Sequence, residues 1–358
     1  MIYQKIESDV SMPKIQFSEG NNIYLIAEAG VNHNGSMQLA KKLVEAAKQA
    51  GADCVKFQTF QAENVVTRTA PKAKYQLAVT DKQESQLEML KKLELSFEDH
   101  KELMDYCRRL EIDFLSTPYG FSDIASLEEL GVASYKIASG QIVEPSFLHA
   151  VAATGKPIYL STGMATLAEV ATAVEAIRNA GNHQLVLLQC TTNYPSRIQD
   201  ANLLTIPVMK AAFGTEVGYS DHTQSDTACL VAIGLGARVI EKHLTLDKSL
   251  PGPDHAASAT PVEFQRLCCA IRDAEESLGS GVKEPCEAEV LNAVNMRRSL
   301  VAARHIKAGE VFELGMLAFK RPGRGIRPAL LSEILGCVAT NDIEQDTMIT
   351  WTMCGERR

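Results

Sequence analysis

Between residues 23 and 279 a short apolar, β-branched run is followed by a longer stretch of helical periodicity eight times over, and this repeat limits the possible folds more than any other feature. The runs are IYLIAEA (23–29), ADCVKFQ (52–58), IDFLSTP (112–118), SYKIASG (134–140), PIYLST (157–162), QLVLLQC (184–190), EVGYSD (216–221) and ARVIEKH (237–243). They are mostly apolar rather than cleanly alternating, the pattern of parallel strands covered by helices outside and packed inside a barrel. The intervening stretches carry helix punctuation. In SMQLAKKLVEAAKQAG, Leu39, Leu43, Ala46, Ala47 and Ala50 share a face, Ser36 can cap the start and Gly51 stands where a glycine cap belongs. Thr166 to Glu169 has capping-box spacing, and the last helical stretch opens on Pro261 and closes at Gly279. Eight β-then-α units in 257 residues match a closed (β/α)8 TIM barrel; a doubly wound open sheet is the structural alternative.

The repeat is interrupted once and then stops. Nearly forty residues separate Gln58 from the helix that starts near Ser96, a length usual for a functional lid, so residues 59–95 are expected to close over a ligand. After residue 280 a polar connector leads into short strands broken by Gly, Pro and Asp. The expected domains are therefore a barrel at 1–280, a linker at 281–296 and a small β-rich domain at 297–358. So little core needs another surface, either its own barrel or a partner chain. The balance of 36 basic against 44 acidic residues, a net charge of −8, argues against a nucleic-acid or anionic-membrane surface. Any phosphate-bearing partner must be met by local cations. The opening MIYQKIESDVSMPKIQ has no apolar stretch after a basic start, and no run is long enough to cross a bilayer. Nine cysteines without a CxxC pair, several of them (Cys54, Cys190, Cys229, Cys268) inside apolar segments, read as small core hydrophobes in a reducing compartment. A soluble, cytoplasmic protein is expected.

Barrels of this class build their active sites at the C-terminal ends of the strands. Those ends carry Glu28, then Lys56 and Gln58, Ser116 and Thr117, Lys136 and Ser139, Ser161 and Thr162, Thr191, Thr192 and Tyr194, Ser220 and His222, and finally Glu241 and His243. Any one Ser or Thr there can be a plain turn residue. Lys56 and Lys136 say more, because an unpaired ammonium inside an apolar strand is costly unless it meets an anion. A structural salt bridge with Glu28 is one answer. The other is a small multiply charged ligand, such as a phosphate joined to a carboxylate, held by both lysines and the surrounding hydroxyls. With no P-loop or GxGxxG, a phosphorylated metabolite is expected rather than a nucleotide cofactor. His222 and His243 end neighbouring strands, where their imidazoles either converge on one divalent cation (Mn2+, Fe2+ or Zn2+) or simply hydrogen-bond in the barrel mouth. Asp221 either orients His222 or starts the following helix. Pro251 and Pro253 stiffen a loop expected to set Asp254 and His255 over the mouth.

The fragments AEAGVNHNGS, VKFQTF, STPYG, KIASG, LSTGMAT, QCTTNYPS, GYSDHT, EKHLTLD, GPDHAAS and RPGRGI stand in this order along the chain. In residue types and spacing they resemble the sialic acid synthase family, which includes N-acetylneuraminate, N,N'-diacetyllegionaminate and pseudaminate synthases. The resemblance runs from Ile23 to about residue 350. It implies a metal-dependent TIM barrel followed by an antifreeze-like (SAF) domain, a domain-swapped homodimer, and condensation of phosphoenolpyruvate with an N-acetylated mannosamine-type aldose. It further implies that Lys56, Thr117, Lys136, Ser139, Ser161 and Ser220 hold phosphoenolpyruvate, and that His222 and His243 bind Mn2+ or Mg2+. Glu28, Gln58, Tyr194 and Asp254 would face the sugar, with Glu28, His243 and Asp254 as the catalytic set, and Arg321 would reach the sugar in the partner's barrel. Three places depart from the family pattern: Gln141 stands where most relatives have Glu or Asp near the metal, Thr192 stands for Asn or Ser, and KFQTF with APKAKYQ looks closer to the legionaminate branch than to the sialate one. Another phosphoenolpyruvate-condensing barrel and a catalytically idle sugar-binding barrel are the alternative functions.

Overall fold

The computed structural model describes residues 23–81 and 83–358; the opening segment read above for targeting signals lies outside them. The chain divides into two compact units, the first ending at Gly279 and the second spanning Ser280–Arg358. In the first, eight strands follow one another as β1 (Tyr24–Gly30), β2 (Cys54–Thr59), β3 (Asp113–Pro118), β4 (Tyr135–Ile137), β5 (Ile158–Ser161), β6 (Leu185–Cys190), β7 (Glu216–Asp221) and β8 (Val239–His243). They form one sheet in the order β3-β2-β1-β8-β7-β6-β5-β4. β1 pairs in parallel with both β2 and β8, so the first strand closes on the last and the doubly wound alternative fails. β3 and β4 lie side by side without a ladder between them, which leaves the barrel nearly closed.

The period-two alternation of each strand sorts its residues between two apolar layers. Tyr24, Ile26, Cys54, Leu115, Tyr159, Val186, Leu188 and Val239 pack with one another inside the barrel. Their neighbours, among them Leu25, Val55, Phe114, Leu187, Val217 and Ile240, pack outward in the larger cluster shared with the helices. Inside, space is tight enough to demand a glycine: a Cβ at Gly218 would sit 2.6 Å from the Val239 carbonyl oxygen and 2.5 Å from Leu188 Cδ2.

The helix punctuation works as the sequence suggests. Ser36 caps the helix Met37–Ala50, and Gly51 ends it at φ 92°. Its buried face is Ala40, Leu43, Val44, Ala46, Ala47 and Ala50, turned slightly from the expected one so that Leu39 sits at its edge. Thr166 with Glu169, and Thr260 with Glu263, form capping boxes, the latter with Pro261 at the first helical turn. The described part of residues 59–95 contains three short helices, Ala62–Val65, Lys74–Val79 and Gln86–Lys91; Val65 of the first and Leu90 of the third pack on Val31, Phe60 and Leu93.

In the second unit, the stretch read as a polar connector contains the helix Glu287–Met296. It precedes two antiparallel pairs, Ser299–Ala302 with Leu317–Lys320 and Cys337–Ala339 with Cys354–Arg357. Leu300, Ile306, Phe312, Ile334, Ile343 and Ile349 give this unit a buried core of its own. Among the described residues no helix is long and apolar enough to cross a membrane.

Candidate active site

Continuing the inward alternation of the barrel strands toward their C-terminal ends replaces apolar side chains with polar ones. Tyr24 and Ile26 are followed by Glu28, Cys54 by Lys56 and Gln58, Val186 and Leu188 by Cys190, and Val239 by Glu241 and His243. These ends enclose a cavity of about 530 Å³. Every barrel residue expected to act lines it: Glu28, Lys56, Gln58, Thr117, Lys136, Ser139, Ser161, Tyr194, Ser220, His222, His243 and Asp254. Arg321 belongs to the second unit, where its guanidinium donates to the Met296 carbonyl at 3.1 Å.

One part of the cavity is built for charge. Lys136 Nζ donates to Ser161 Oγ at 2.7 Å, and Lys56 Nζ donates to Thr117 Oγ1 at 3.3 Å. Lys56 also forms an ion pair with Glu28 at 2.6 Å, so the salt-bridge answer to this lysine is realised within the cavity itself. Glu241 lies between the two ammoniums, 3.8 Å from Lys56 and 3.7 Å from Lys136, and accepts from Ser220 Oγ at 2.9 Å. Burial alone would lower the Lys56 ammonium, but Glu241 and Glu28 outweigh it and hold it above its ordinary value. Burial pushes Lys136 down; Glu241 opposes this while Lys56 adds to it. Burial lifts the Glu28 carboxyl against the pull of Lys56, whereas Glu241 is held low by the two lysines despite its burial. Two buried ammoniums are thus balanced by two buried carboxylates, and with the surrounding hydroxyls the lysines are the donors that an anionic ligand would meet.

The other part gathers rings. The His222 and His243 centroids lie 5.3 Å apart, with the Tyr194 ring 4.1 Å from the first and 5.5 Å from the second. His222 Nδ1 donates to the Thr191 carbonyl at 2.7 Å, which leaves Nε2 as the nitrogen with a lone pair. His243 Nδ1 is buried without a hydrogen-bond partner. Burial, together with His222 and the lysines, holds His243 well below the ordinary imidazole value, so its 3.7 Å approach to Asp254 is not an ion pair. Burial would lower His222, but Cys190 and the Thr191 carbonyl outweigh it and hold it above the ordinary imidazole value. Once it has given up that proton, the two neighbouring imidazoles suit two ligand positions on a divalent cation, the remaining positions falling to water or substrate oxygen. Among the described residues no group of three or more His, Cys, Asp and Glu side chains could hold a metal, so the protein would offer these two nitrogens and little more. Asp254 is lifted to about 6 by burial and by Glu28. Gln58 Nε2 donates to Glu28 at 3.1 Å, and both amide atoms of buried Gln141 lack a partner.

The structure revises three expectations. Asp221 is turned onto Lys242 rather than onto the His222 ring, and it does not start the following helix, Thr227–Gly234, which is preceded by Asp226. His255 does not stand over the mouth but is drawn to Thr245 Oγ1 at 2.6 Å and Asn34 at 3.3 Å. Cys190 is buried, yet it lines the cavity 3.9 Å from His222 Nδ1 rather than filling the apolar core. Sequence reasoning missed Tyr119, whose hydroxyl donates to Gln58 at 3.4 Å, and Tyr75, whose ring lies 5.0 Å from that of Tyr194. The first follows the strand end STP and could have been read from it; the second sits in the long insertion, where no periodicity pointed inward.

A family model described as the NeuB family matches residues 43–283, and one for the SAF domain matches residues 297–353. The chain is 46% identical over 327 residues to the N,N'-diacetyllegionaminic acid synthase of Campylobacter jejuni, covering 91% of this chain and 98% of that one. It is 45% identical over 332 residues to the N,N'-diacetyllegionaminic acid synthase of Legionella pneumophila, covering 92% and 93%. The crystal structure of the N-acetylneuraminic acid synthetase of Leptospira borgpetersenii in complex with citrate superposes with a TM-score of 0.69 at 32% identity, over 76% of this chain and 90% of that one. Barrel, cavity and sequence agree, and the chain belongs to the NeuB family, with a SAF domain following its barrel.

Proposed function

We propose that the chain is a nonulosonic acid synthase, condensing phosphoenolpyruvate with an N-acetylated mannosamine-type aldose to give a nine-carbon 2-keto sugar acid and phosphate. The observation that carries this reading is the charge of the cavity lining. Lys56 and Lys136 stand among the hydroxyls of Thr117, Ser139, Ser161 and Ser220, and no further lysine or arginine of the described residues lines the cavity. Two ammoniums match one phosphorylated, carboxylated substrate. A sugar bearing its own phosphate would meet no further cation of the cavity lining, Arg321 of the second unit being the one exception, which disfavours a synthase of 3-deoxy sugar acid phosphates.

In this reading the lysines and hydroxyls bind the phosphate and carboxylate of phosphoenolpyruvate. His222 and His243 would hold a divalent metal, Mn2+ or Mg2+, which when bound polarises the sugar aldehyde. Tyr194, Gln58 and Asp254 align the open-chain sugar so that carbon 3 of phosphoenolpyruvate bonds to the aldehyde carbon. Carbon 2 gains positive character and water adds there, its proton passing to Glu28, whose burial-raised carboxyl suits a base. The tetrahedral carbon then expels phosphate by breaking its C–O bond, the hydroxyl proton on that carbon leaving with the phosphate, so that the keto group remains. Asp254, near 6, exchanges the proton that the new hydroxyl takes up.

The sugar proposed is 2,4-diacetamido-2,4,6-trideoxymannose. Val65, Val66, Met89 and Leu90 give the cavity an apolar margin suited to a methyl, and the amides of Gln76, Gln86 and Gln141 suit acetamido groups. The reading carries a cytoplasmic location, where phosphoenolpyruvate is made, and a homodimer in which Arg321 serves the partner's barrel. The test is phosphate release from phosphoenolpyruvate with Mn2+ and a chelator control. A kcat/KM at least ~10-fold higher with the diacetamido sugar than with N-acetylmannosamine is expected. The reverse preference would make this a sialic acid synthase, and silence with both sugars in folded, metal-loaded protein would leave an idle sugar-binding barrel.

A further inference from the structure

We infer that Asp221 and Lys242 form a clamp that sets the spacing of the His222 and His243 imidazoles from behind the barrel wall. The inference rests on the reading of those histidines as metal ligands. Along β7 and β8, Ser220 and Glu241 face the cavity, the two histidines face it again, and the residues between them face outward by strand alternation. Asp221 and Lys242 are direct cross-strand partners and form the last register pair of the β7–β8 ladder.

Beyond that pair the two backbones part. The His222 carbonyl accepts from Ser196 N at 2.8 Å, while the His243 carbonyl accepts from Ala259 N at 2.8 Å and Leu244 N donates to the Glu28 carbonyl. Each histidine is therefore tied to a different neighbour, and the side-chain pair supplies the link between them. Lys242 Nζ lies 2.5 Å from Asp221 Oδ2 and 2.6 Å from the Thr223 carbonyl, so one ammonium grips the residues on both sides of His222. Asp221 is in turn fixed by Tyr219 Oη at 3.0 Å, Thr223 N at 2.8 Å and Cys229 Sγ at 3.2 Å.

Asp221 is 1% and Lys242 5% exposed, and neither lines the substrate cavity. A buried ion pair is a poor device for stability alone, since well-packed apolar residues of the same volume serve as well or better. Two register steps back, the same outer face carries Tyr219 and Ile240, which pack in the apolar cluster. Charge is introduced only at the level of the imidazoles, where a bond of fixed length and direction specifies geometry. Loss of such outer support of metal-binding histidines weakens metal affinity by about 10–100-fold.

The test strips metal from the wild type, Asp221→Asn, the double variant Asp221→Asn with Lys242→Met, and His222→Ala. Each protein is titrated with Mn2+ by electron paramagnetic resonance, and the thermal midpoint of each metal-free protein is recorded. Asp221→Asn strands a buried ammonium and is expected to lose both stability and affinity. The double variant removes both charges and is expected to keep a midpoint near that of the wild type while binding Mn2+ about 10–100-fold more weakly. A purely structural pair would move the midpoint and leave the affinity alone. Wild-type affinity in the folded double variant, with binding abolished in His222→Ala, would overturn the clamp and leave the histidine reading standing. Undiminished binding in His222→Ala would overturn the histidine reading, and the clamp with it.

Discussion

Glu28 and Asp254 show how one cavity gives two carboxyls different work. Glu28 sits 2.6 Å from a lysine, yet burial still lifts it, leaving a base that a neighbouring ammonium keeps ionisable. A Glu28→Gln variant is expected to bind phosphoenolpyruvate normally and to lose about 10²–10⁴-fold in turnover, measured by phosphate release at saturating substrate. Asp254 is raised from its ordinary 3.8 to about 6, chiefly by burial. The native state therefore keeps this proton over a range where the unfolded chain has released it, so stability falls as pH rises from about 4 to about 6 and then levels. The loss is on the order of 3 kcal/mol. Asp254→Asn carries no such loss and should gain about that much on the wild type between pH 4 and pH 7 in urea unfolding, while losing activity. A variant whose margin over the wild type does not grow with pH would contradict the raised carboxyl. The sequence marked both residues by their address, but not their difference, which comes from the lysine beside one and the Glu28 charge beside the other.

At the scale of elements, the strand end is the unit that builds this site, and its glycines are shaped by the hydroxyls around them. Gly163 follows β5, and its backbone N–H donates to Ser139 Oγ at 3.0 Å. A Cβ there would strike Thr192 Oγ1 and lie 2.7 Å from Ser139 Oγ. Gly163→Ala is therefore expected to displace two hydroxyls and raise KM for phosphoenolpyruvate about 10-fold or more, with a smaller effect on kcat. An unchanged KM would take Ser139 out of the phosphate group. The lysines teach a related lesson. Lys56, Lys136 and Lys242 are all charged residues inside apolar strands, but only the first two were marked for function from sequence. In IEKH the alternation places Glu241 and His243 inward and Lys242 outward, and the outward lysine finds Asp221 one strand away. The length of the insertion raised the expectation of a lid; its three short helices and the inward turn of Tyr75 were not legible, because helices of four to six residues leave too little periodicity to read.

For the whole molecule, the proposed dimer makes a prediction that no single chain can satisfy. If Arg321 serves the partner's barrel, an Arg321→Ala chain and a His222→Ala chain are each inactive, yet mixing them should restore part of the activity through hybrid dimers. Verified hybrids without recovery would oppose the swapped arrangement. The sequence by itself determined the eightfold β/α order, the helix starts at Ser36, Thr166 and Pro261, and the polar strand ends, because each is written in the spacing of residues near one another along the chain. The pairing of those ends was decided only by the tertiary structure: Lys56 on Glu28, Glu241 between two lysines, Lys242 on Asp221, and His255 drawn to Thr245. The ion pairs depend on strand register and on the closure of β1 against β8, which bring together residues up to some two hundred positions apart, and a local period carries no record of such a distance; the His255 contact depends on how the segment after β8 folds back on itself.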